Sequence, residues 1–305
     1  MSAPDHMDND ADSSLLEGPD IENMLSSIAP LNIDILLLGE TGTGKDTLAG
    51  RIHRLSGRRG SFIPVNCAAI PETLAESQLF GVNSGAYTGA VQSRAGFIEA
   101  AHLGTLYLDE IDSMPLSLQA KLLRTLESRG VERLGSTRFI PVDMRVIASA
   151  QRSLYEMVER GTFRRDLYFR LSVVNIQLPS LRECRDRIIP LFLTMIRQQA
   201  ESFKCPSPQP PNSLFQQLLC HTWPGNVREL SSTAKRFVLG LPPLSVKGED
   251  HEASEAGLKE HLQRIEKSLI EESLRRHNGN VDLVAVELRV AKRTLYYRMK
   301  QLRIG

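Results

Sequence analysis

Gly39-Glu40-Thr41-Gly42-Thr43-Gly44-Lys45 sets glycines and a lysine at the spacing G-x-x-x-x-G-K, and the chemistry that spacing serves is phosphate binding. Glycines let the backbone curl until successive N–H groups face one anion, and a helix opening at Lys45 adds the positive end of its dipole. Lys45 would reach the β- and γ-phosphates of ATP. Asp46 stands where the general motif has Ser or Thr for magnesium, and a carboxylate beside triphosphate is repulsive unless a cation intervenes. A second stretch, Thr105-Leu106-Tyr107-Leu108-Asp109-Glu110, is an apolar run ended by two acids. Asp109 could orient Mg2+ through water, and Glu110 could position or activate an attacking water. Alone, the first stretch also reads as a glycine-rich turn that binds nothing, and the second as a solvated loop start. In this order they read together as a nucleotide site.

Such groups need a rigid scaffold. From Ile33 short apolar runs alternate with helical patterns, at residues 33–38, 62–66, 105–108, 144–149 and 173–177. Consecutive apolar residues predict strands buried on both faces of a parallel sheet, so the class is α/β. Helices are predicted over 46–55 and 116–128. After Pro179 the β-branched runs stop, and 188–202, 213–219 and 227–239 read as a small helical subdomain. Asn226, with Glu229 three residues on, reads as a helix N-cap and its reciprocal acid. Residues 241–257 mix Pro, Gly, Ser and acids as a linker does, and 258–305 are helical in pattern.

Composition narrows the classes. Hydrophobic residues make up 41% and charged residues 24% of the 305-residue chain, an ordinary globular profile. No run of apolar residues reaches spanning length and no secretory signal is visible, so a cytoplasmic protein away from membranes is expected. The four cysteines (67, 184, 205, 220) are scattered, and the histidines have no ligand spacing, which argues against disulfides and a metal site built by protein alone. A net charge of +1 hides an asymmetry: the first 22 residues carry seven acids and no Lys or Arg, and the last 17 carry six bases and no acid. The start reads as an acidic disordered tail and the end as a nucleic-acid-binding element.

Gly85-Ala86-Tyr87-Thr88-Gly89-Ala90 decides between ATPase classes. Glycines flank an aromatic and a threonine, the composition of a mobile loop presenting an apolar ring to a partner. The hexamer, behind Ser77-Gln78-Leu79-Phe80-Gly81, resembles the G-A-F/Y-T-G-A loop of bacterial enhancer-binding proteins, the AAA+ activators of sigma-54 RNA polymerase. The resemblance implies that this loop contacts sigma-54. It implies further roles: Asn66 would restrain the catalytic glutamate, and Arg164 and Arg170 would be arginine fingers supplied to a neighbouring subunit. Arg228 would be the sensor II arginine of the lid, and Glu132-Arg133-Leu134-Gly135 would form a second pore loop. In the sensor I stretch, Ala148-Ser149-Ala150-Gln151 departs from the family's Ala-Ala-Thr-Asn, which implies a slower ATPase. Asp46 departs mildly from the family's usual Glu.

At the C-terminus, Gly279 and Asn280 predict a helix stop and restart, followed by helices over 281–288 and 292–302. Leu295, Met299 and Leu302 share one face of the second, with Arg293, Tyr297 and Lys300 opposite. This end resembles the Fis-type helix-turn-helix, which implies DNA contacts at Lys292, Thr294, Tyr297 and Arg298; geometry adds Arg293. Where the family turn usually has Gly, Arg289 stands.

The expected architecture is therefore an acidic tail (1–14), an AAA+ P-loop NTPase domain (15–240) with a parallel-sheet core (15–182) and helical lid (183–240), a linker (241–257) and an all-α helix-turn-helix domain (258–305). The expected cofactors are ATP and Mg2+, and the expected assembly is a homo- or hetero-oligomer, a hexamer in the family. With no sensory domain read ahead of the ATPase, the chain resembles HrpS-like activators of type III secretion genes, which implies a regulatory or co-activator protein. Two alternatives stay open: a DNA-binding regulator using ATP as a structural ligand, and an AAA+ remodeller of another target.

Overall fold

A parallel sheet carries both expected anchor points, on two strands with a single strand between them. The strands are β1 (Ile35–Leu38), β2 (Phe62–Asn66), β3 (Thr105–Asp109), β4 (Gly130–Glu132), β5 (Phe139–Pro141), β6 (Arg145–Ala150) and β7 (Val174–Gln177). The sheet runs β2-β3-β6-β1-β7 with all neighbours parallel, and β4 and β5 form a separate antiparallel hairpin that periodicity does not predict. The computed structural model describes residues 19–87, 92–244 and 266–304, apart from 268, 272, 275, 278 and 303. The acidic tail and most of the expected linker lie outside these residues. The chain divides into two compact units after Pro243.

Alternation along the strands sorts the core. Leu36, Leu106, Leu108, Val146 and Ala148 join one hydrophobic cluster. Ile35, Leu37, Tyr107 and Ile147 join the other, against Leu48 and Ile52 of α2 (Lys45–Leu55) and Leu25 of α1 (Pro19–Ile28). Each such aliphatic side chain contributes about 1.5–3 kcal/mol on full burial. The expectation of two buried faces holds for β1, β3 and β6. It fails for the outermost strands, where Pro64 and Asn66 of β2 and Asn175 and Gln177 of β7 are exposed.

The first unit's remaining helices are α3 (Glu72–Phe80), α4 (Phe97–Ala100), α5 (Leu116–Ser128), α6 (Leu154–Glu159) and α7 (Arg165–Leu171), then α8 (Arg185–Ser202), α9 (Asn212–Cys220) and α10 (Asn226–Val238). The last three form the lid, with Trp223 fully buried and its indole N–H donated to the Leu218 carbonyl at 2.9 Å. Asn226 does not cap α10. It sits at φ +49°, and its side chain is committed elsewhere, while the Glu229 carboxylate accepts from the Gly225 N–H at 2.9 Å. In the second unit, α11 (Val281–Glu287) and α12 (Lys292–Gln301) close over Val284, Ala285, Leu295 and Ile270. Gly279 takes φ +80°, and Asn280 caps α11 by accepting from the N–H groups of Asp282 and Leu283, as read from the sequence.

Arg145 shows how the sheet holds α1. Fully buried, it donates to the carbonyls of Ala29 at 2.6 Å, Ile33 at 3.0 Å and Ile28 at 3.2 Å, satisfying the end of that helix. Next to it, the Asp34 carboxylate accepts from Val146 N–H at 3.1 Å, so β1 starts at Ile35 and not at Ile33. Arg145→Ala removes a charged donor from three carbonyls and is expected to cost about 3 kcal/mol. Urea denaturation would read this as a lower midpoint at unchanged slope.

Candidate functional site

The glycine-rich loop joins the end of β1 to α2, and its glycines have separate reasons. Gly44 caps α2 in the left-handed region at φ +91°. Gly42 takes φ +76°, and a β-carbon there would lie 2.3 Å from the Gly225 carbonyl oxygen. That closeness is used: Val227 N–H donates to the Gly42 carbonyl at 2.9 Å. Lys45 is buried, with its ammonium on the carbonyls of Gly39 at 2.8 Å and Glu40 at 2.9 Å. Burial lowers its pKa, opposed by the charges of Asp109, Asp46 and Glu110. Thr43 donates to the Glu40 carbonyl and is likewise buried.

The lid is tied to this loop from the other side. Asn226, fully buried, accepts from Leu181 N–H at 2.8 Å and donates to the Thr41 carbonyl at 3.0 Å and to Glu40 at 3.2 Å. Glu40 also pairs with Arg182. Arg228, one turn into α10, lines the same groove as Thr41, Gly42, Lys45, Asp46, Asn66, Asp109, Glu110 and Gln151.

The acids at the end of β3 are held apart by distinct partners. Asp109 receives the Ser149 hydroxyl, the Tyr107 hydroxyl at 3.1 Å and the Asn66 amide at 3.2 Å. Glu110 sits at φ +52°, in the left-handed region that a residue with a β-carbon rarely takes. Its carboxylate accepts from the Gln151 amide at 2.6 Å, and the Gln151 carbonyl accepts from the Thr41 hydroxyl at 2.7 Å. Asn66 thus touches Asp109, and Gln151 touches Glu110. Ser149 and Gln151 are two of the three residues at which the expected sensor I stretch departs from its pattern, Ala150 being the third. Their use was hidden in the sequence, although a hydroxyl within a buried apolar strand must find a partner.

The structure brings Gly39 through Asp46, Asn66, Asp109, Glu110 and Arg228 together. It keeps the two finger candidates away from their own groove. Arg164 is exposed and paired to Asp166 through two bonds, at 3.0 and 2.7 Å. Arg170 is paired to the buried Asp34.

The hexamer loop has a firm base. Val82 and Arg94 exchange both backbone bonds, at 2.9 and 2.8 Å, and Asn83 N–H donates to the Leu134 carbonyl at 3.0 Å. Gly135, at φ +75°, abuts Ala86: a β-carbon there would lie 2.6 Å from that of Ala86. Arg133 is fixed by Glu99 through two bonds of 2.7 Å. The two loops are therefore packed and hydrogen-bonded together. Gly85 takes φ +83° and Tyr87 is half exposed, while Thr88, Gly89 and Ala90 lie outside the described residues.

In the second unit Lys292, Arg293, Thr294, Tyr297 and Arg298 are all exposed along α12. Lys292 pairs with Asp282 and Arg298 with Glu266, so two of the bases carry intramolecular counter-charges. Arg289 takes φ +53°, which explains the glycine usual at this turn.

Comparison with known proteins agrees with this geometry. Residues 17–177 match the family model of the sigma-54 interaction domain, 182–268 an AAA+ ATPase lid domain, and 261–302 the bacterial regulatory protein Fis family. The chain is 60% identical over 284 residues to the "pathogenicity locus probable regulatory protein WtsA" of Pantoea stewartii subsp. stewartii, covering 93% of this chain and 88% of that one. It is 55% identical to the "pathogenicity locus probable regulatory protein HrpS" of Pseudomonas syringae pv. syringae across 100% of both. The crystal structure of NtrX from Brucella abortus in complex with ADP superposes with a TM-score of 0.76 at 31% identity, covering 96% of this chain and 71% of that one.

The Glu40 link is testable by pH. The Asn226 amide, and Arg182 beside it, hold the Glu40 carboxyl below its ordinary 4.5 against the effect of burial. A carboxyl lowered by folding contributes stability above its unfolded pKa and loses it as pH falls through the folded one. Wild type is therefore expected to melt above Glu40→Gln at neutral pH, with the difference shrinking as pH falls below 4.5.

Proposed function

The chain belongs to the family of sigma-54-dependent transcriptional activators, with an AAA+ domain, its lid and a Fis-type helix-turn-helix, and from that premise we propose that it opens promoters by hydrolysing ATP. The observation that carries the reading is one groove that gathers Lys45, Asp109, Glu110 and Arg228 in a chain whose hexamer loop is strapped to a second loop. Glu110 orients a water for attack on the γ-phosphate and accepts its proton, while Lys45 leaves the loop carbonyls for the phosphate oxygens. Magnesium fits the oxygen donors Asp109 and Asp46 and would neutralise charge between the β- and γ-phosphates. Among the described residues no group of three or more His, Cys, Asp or Glu could hold a metal ion alone, so the two carboxylates would hold magnesium only together with the nucleotide.

Hydrolysis depends on assembly. Arg164, exposed on the surface, is the better placed of the two arginines to reach a neighbour's γ-phosphate, at the cost of its bond to Asp166. Arg170 would first have to leave Asp34. Six subunits in a ring would put each groove against such an arginine. Asn66 and Gln151, on the two acids, relay the loss of phosphate to the strands. The loop at Tyr87 and Thr88 then engages and releases sigma-54. The basic face of α12 holds enhancer DNA, with Lys292, Arg293 and Thr294 near base edges and Arg298 on phosphate. Likeness to pathogenicity-locus regulators supports type III secretion genes as targets, action in the cytoplasm, and control by a co-activating or inhibitory protein.

Promoter opening by purified sigma-54 polymerase is expected with ATP and not with a non-hydrolysable analogue. Glu110→Gln should lower hydrolysis at least about 100-fold, and Thr88→Ala should abolish opening while hydrolysis continues. Opening that survives Lys45→Ala would favour ATP as a structural ligand. Sound DNA binding without opening, restored by adding a related activator, would indicate a hetero-oligomer.

A further inference from the structure

Tyr107 is 2% exposed, yet its oxygen reaches the nucleotide groove. The ring belongs to the core beneath α2, stacked on Phe62 with centroids 5.8 Å apart and planes 16° from parallel. Packing alone would be served equally by phenylalanine, so the hydroxyl requires its own explanation. It donates to Asp46 at 2.7 Å and lies 3.1 Å from Asp109, both on Oδ1. The two acids come from different elements, Asp46 from the first turn of α2 and Asp109 from the end of β3, and one phenol proton joins them. The hydroxyl of Ser149, buried as well, is spent on the same Asp109 oxygen.

Nothing in the hydrolysis scheme above uses this oxygen. Two carboxylates facing one groove repel each other and would splay, and a donor shared between them offsets the repulsion and fixes their spacing. Outer hydrogen bonds of this kind orient oxygen ligands before a metal arrives. We propose that Tyr107 is a positioning residue of the nucleotide site: its hydroxyl ties Asp46 to Asp109 so that both carboxylates address one magnesium–nucleotide complex. The proposal rests on the ATPase reading above, and it gives the short Asp46 a role. An aspartate at this position reaches the β3 acids because a tyrosine, whose oxygen extends from the strand, meets it.

The test compares full-length wild type with Tyr107→Phe, Asp46→Asn and the double variant. Affinity for an unhydrolysed ATP analogue is measured calorimetrically with magnesium and in EDTA. Tyr107→Phe is expected to need about tenfold more magnesium for half-maximal enhancement of binding, the effect of one hydrogen bond to a charged group. Affinity in EDTA should be unchanged, a result that a packing defect would not produce. In the Asp46→Asn background, Tyr107→Phe should shift the magnesium requirement by no more than about twofold, because its partner is gone. An unchanged magnesium requirement in Tyr107→Phe, or full shifts that add in the double variant, would overturn the proposal alone. Absence of magnesium-dependent nucleotide binding in wild type would overturn the ATPase reading and this inference with it.

Discussion

The backbone contact between Gly42 and the lid is the constraint from which the rest of the site follows. The nucleotide loop and the start of α10 approach so closely that a β-carbon on Gly42 would lie 2.3 Å from the Gly225 carbonyl oxygen. The Val227–Gly42 bond and the Asn226 amide, reaching Thr41, Glu40 and Leu181, make the loop and lid one hydrogen-bonded piece. Asn226 must be buried and take φ +49° to do this, a strained conformation that persists only where its surroundings determine it. No intervening element separates the loop from the lid. Arg228 lies two residues beyond Asn226 and faces the same groove.

The opposite wall of the groove is built on the same economy. β3 and β6 are adjacent and buried, so their carboxyl ends are fixed, and polar groups there must satisfy one another. Asp109 takes its hydrogen bonds from Tyr107, Ser149 and Asn66, and Glu110 takes one from Gln151. Gln151 also reaches Thr41, so the wall bearing the acids and the wall bearing the glycines meet through one side chain. The hexamer loop precedes β3 in the chain and the second loop follows it, and Leu134 and Gly135 of the second hold the base of the first. In the helix-turn-helix unit the turn tolerates Arg289 at φ +53° where glycine would be unstrained.

Much of this was legible because it depends on local pattern. Buried parallel strands show as consecutive apolar residues, and all five sheet strands lie within two residues of their expected starts. Gly279 and Asn280 act as read because helix punctuation is local chemistry. The side-chain partners were not legible, since Asn226 and Glu40 stand 186 residues apart and Ser149 and Asp109 stand 40 apart. Asn226 illustrates the ambiguity: the amide that suits a helix cap also suits a buried bridge, and only the tertiary approach of Gly225 to Gly42 decides. Exposure of β2 and β7 was missed for a related reason, because sheet order is set by long-range pairing and a sequence does not display which strands end outermost.

Amide hydrogen exchange in the full-length chain, with and without ATP analogue and magnesium, tests the join most directly. The Val227 and Leu181 amides, bonded to Gly42 and Asn226, are predicted to gain protection together with the loop amides of residues 41–45 when nucleotide binds. Protection of the loop amides alone, with Val227 and Leu181 exchanging as before, would contradict it.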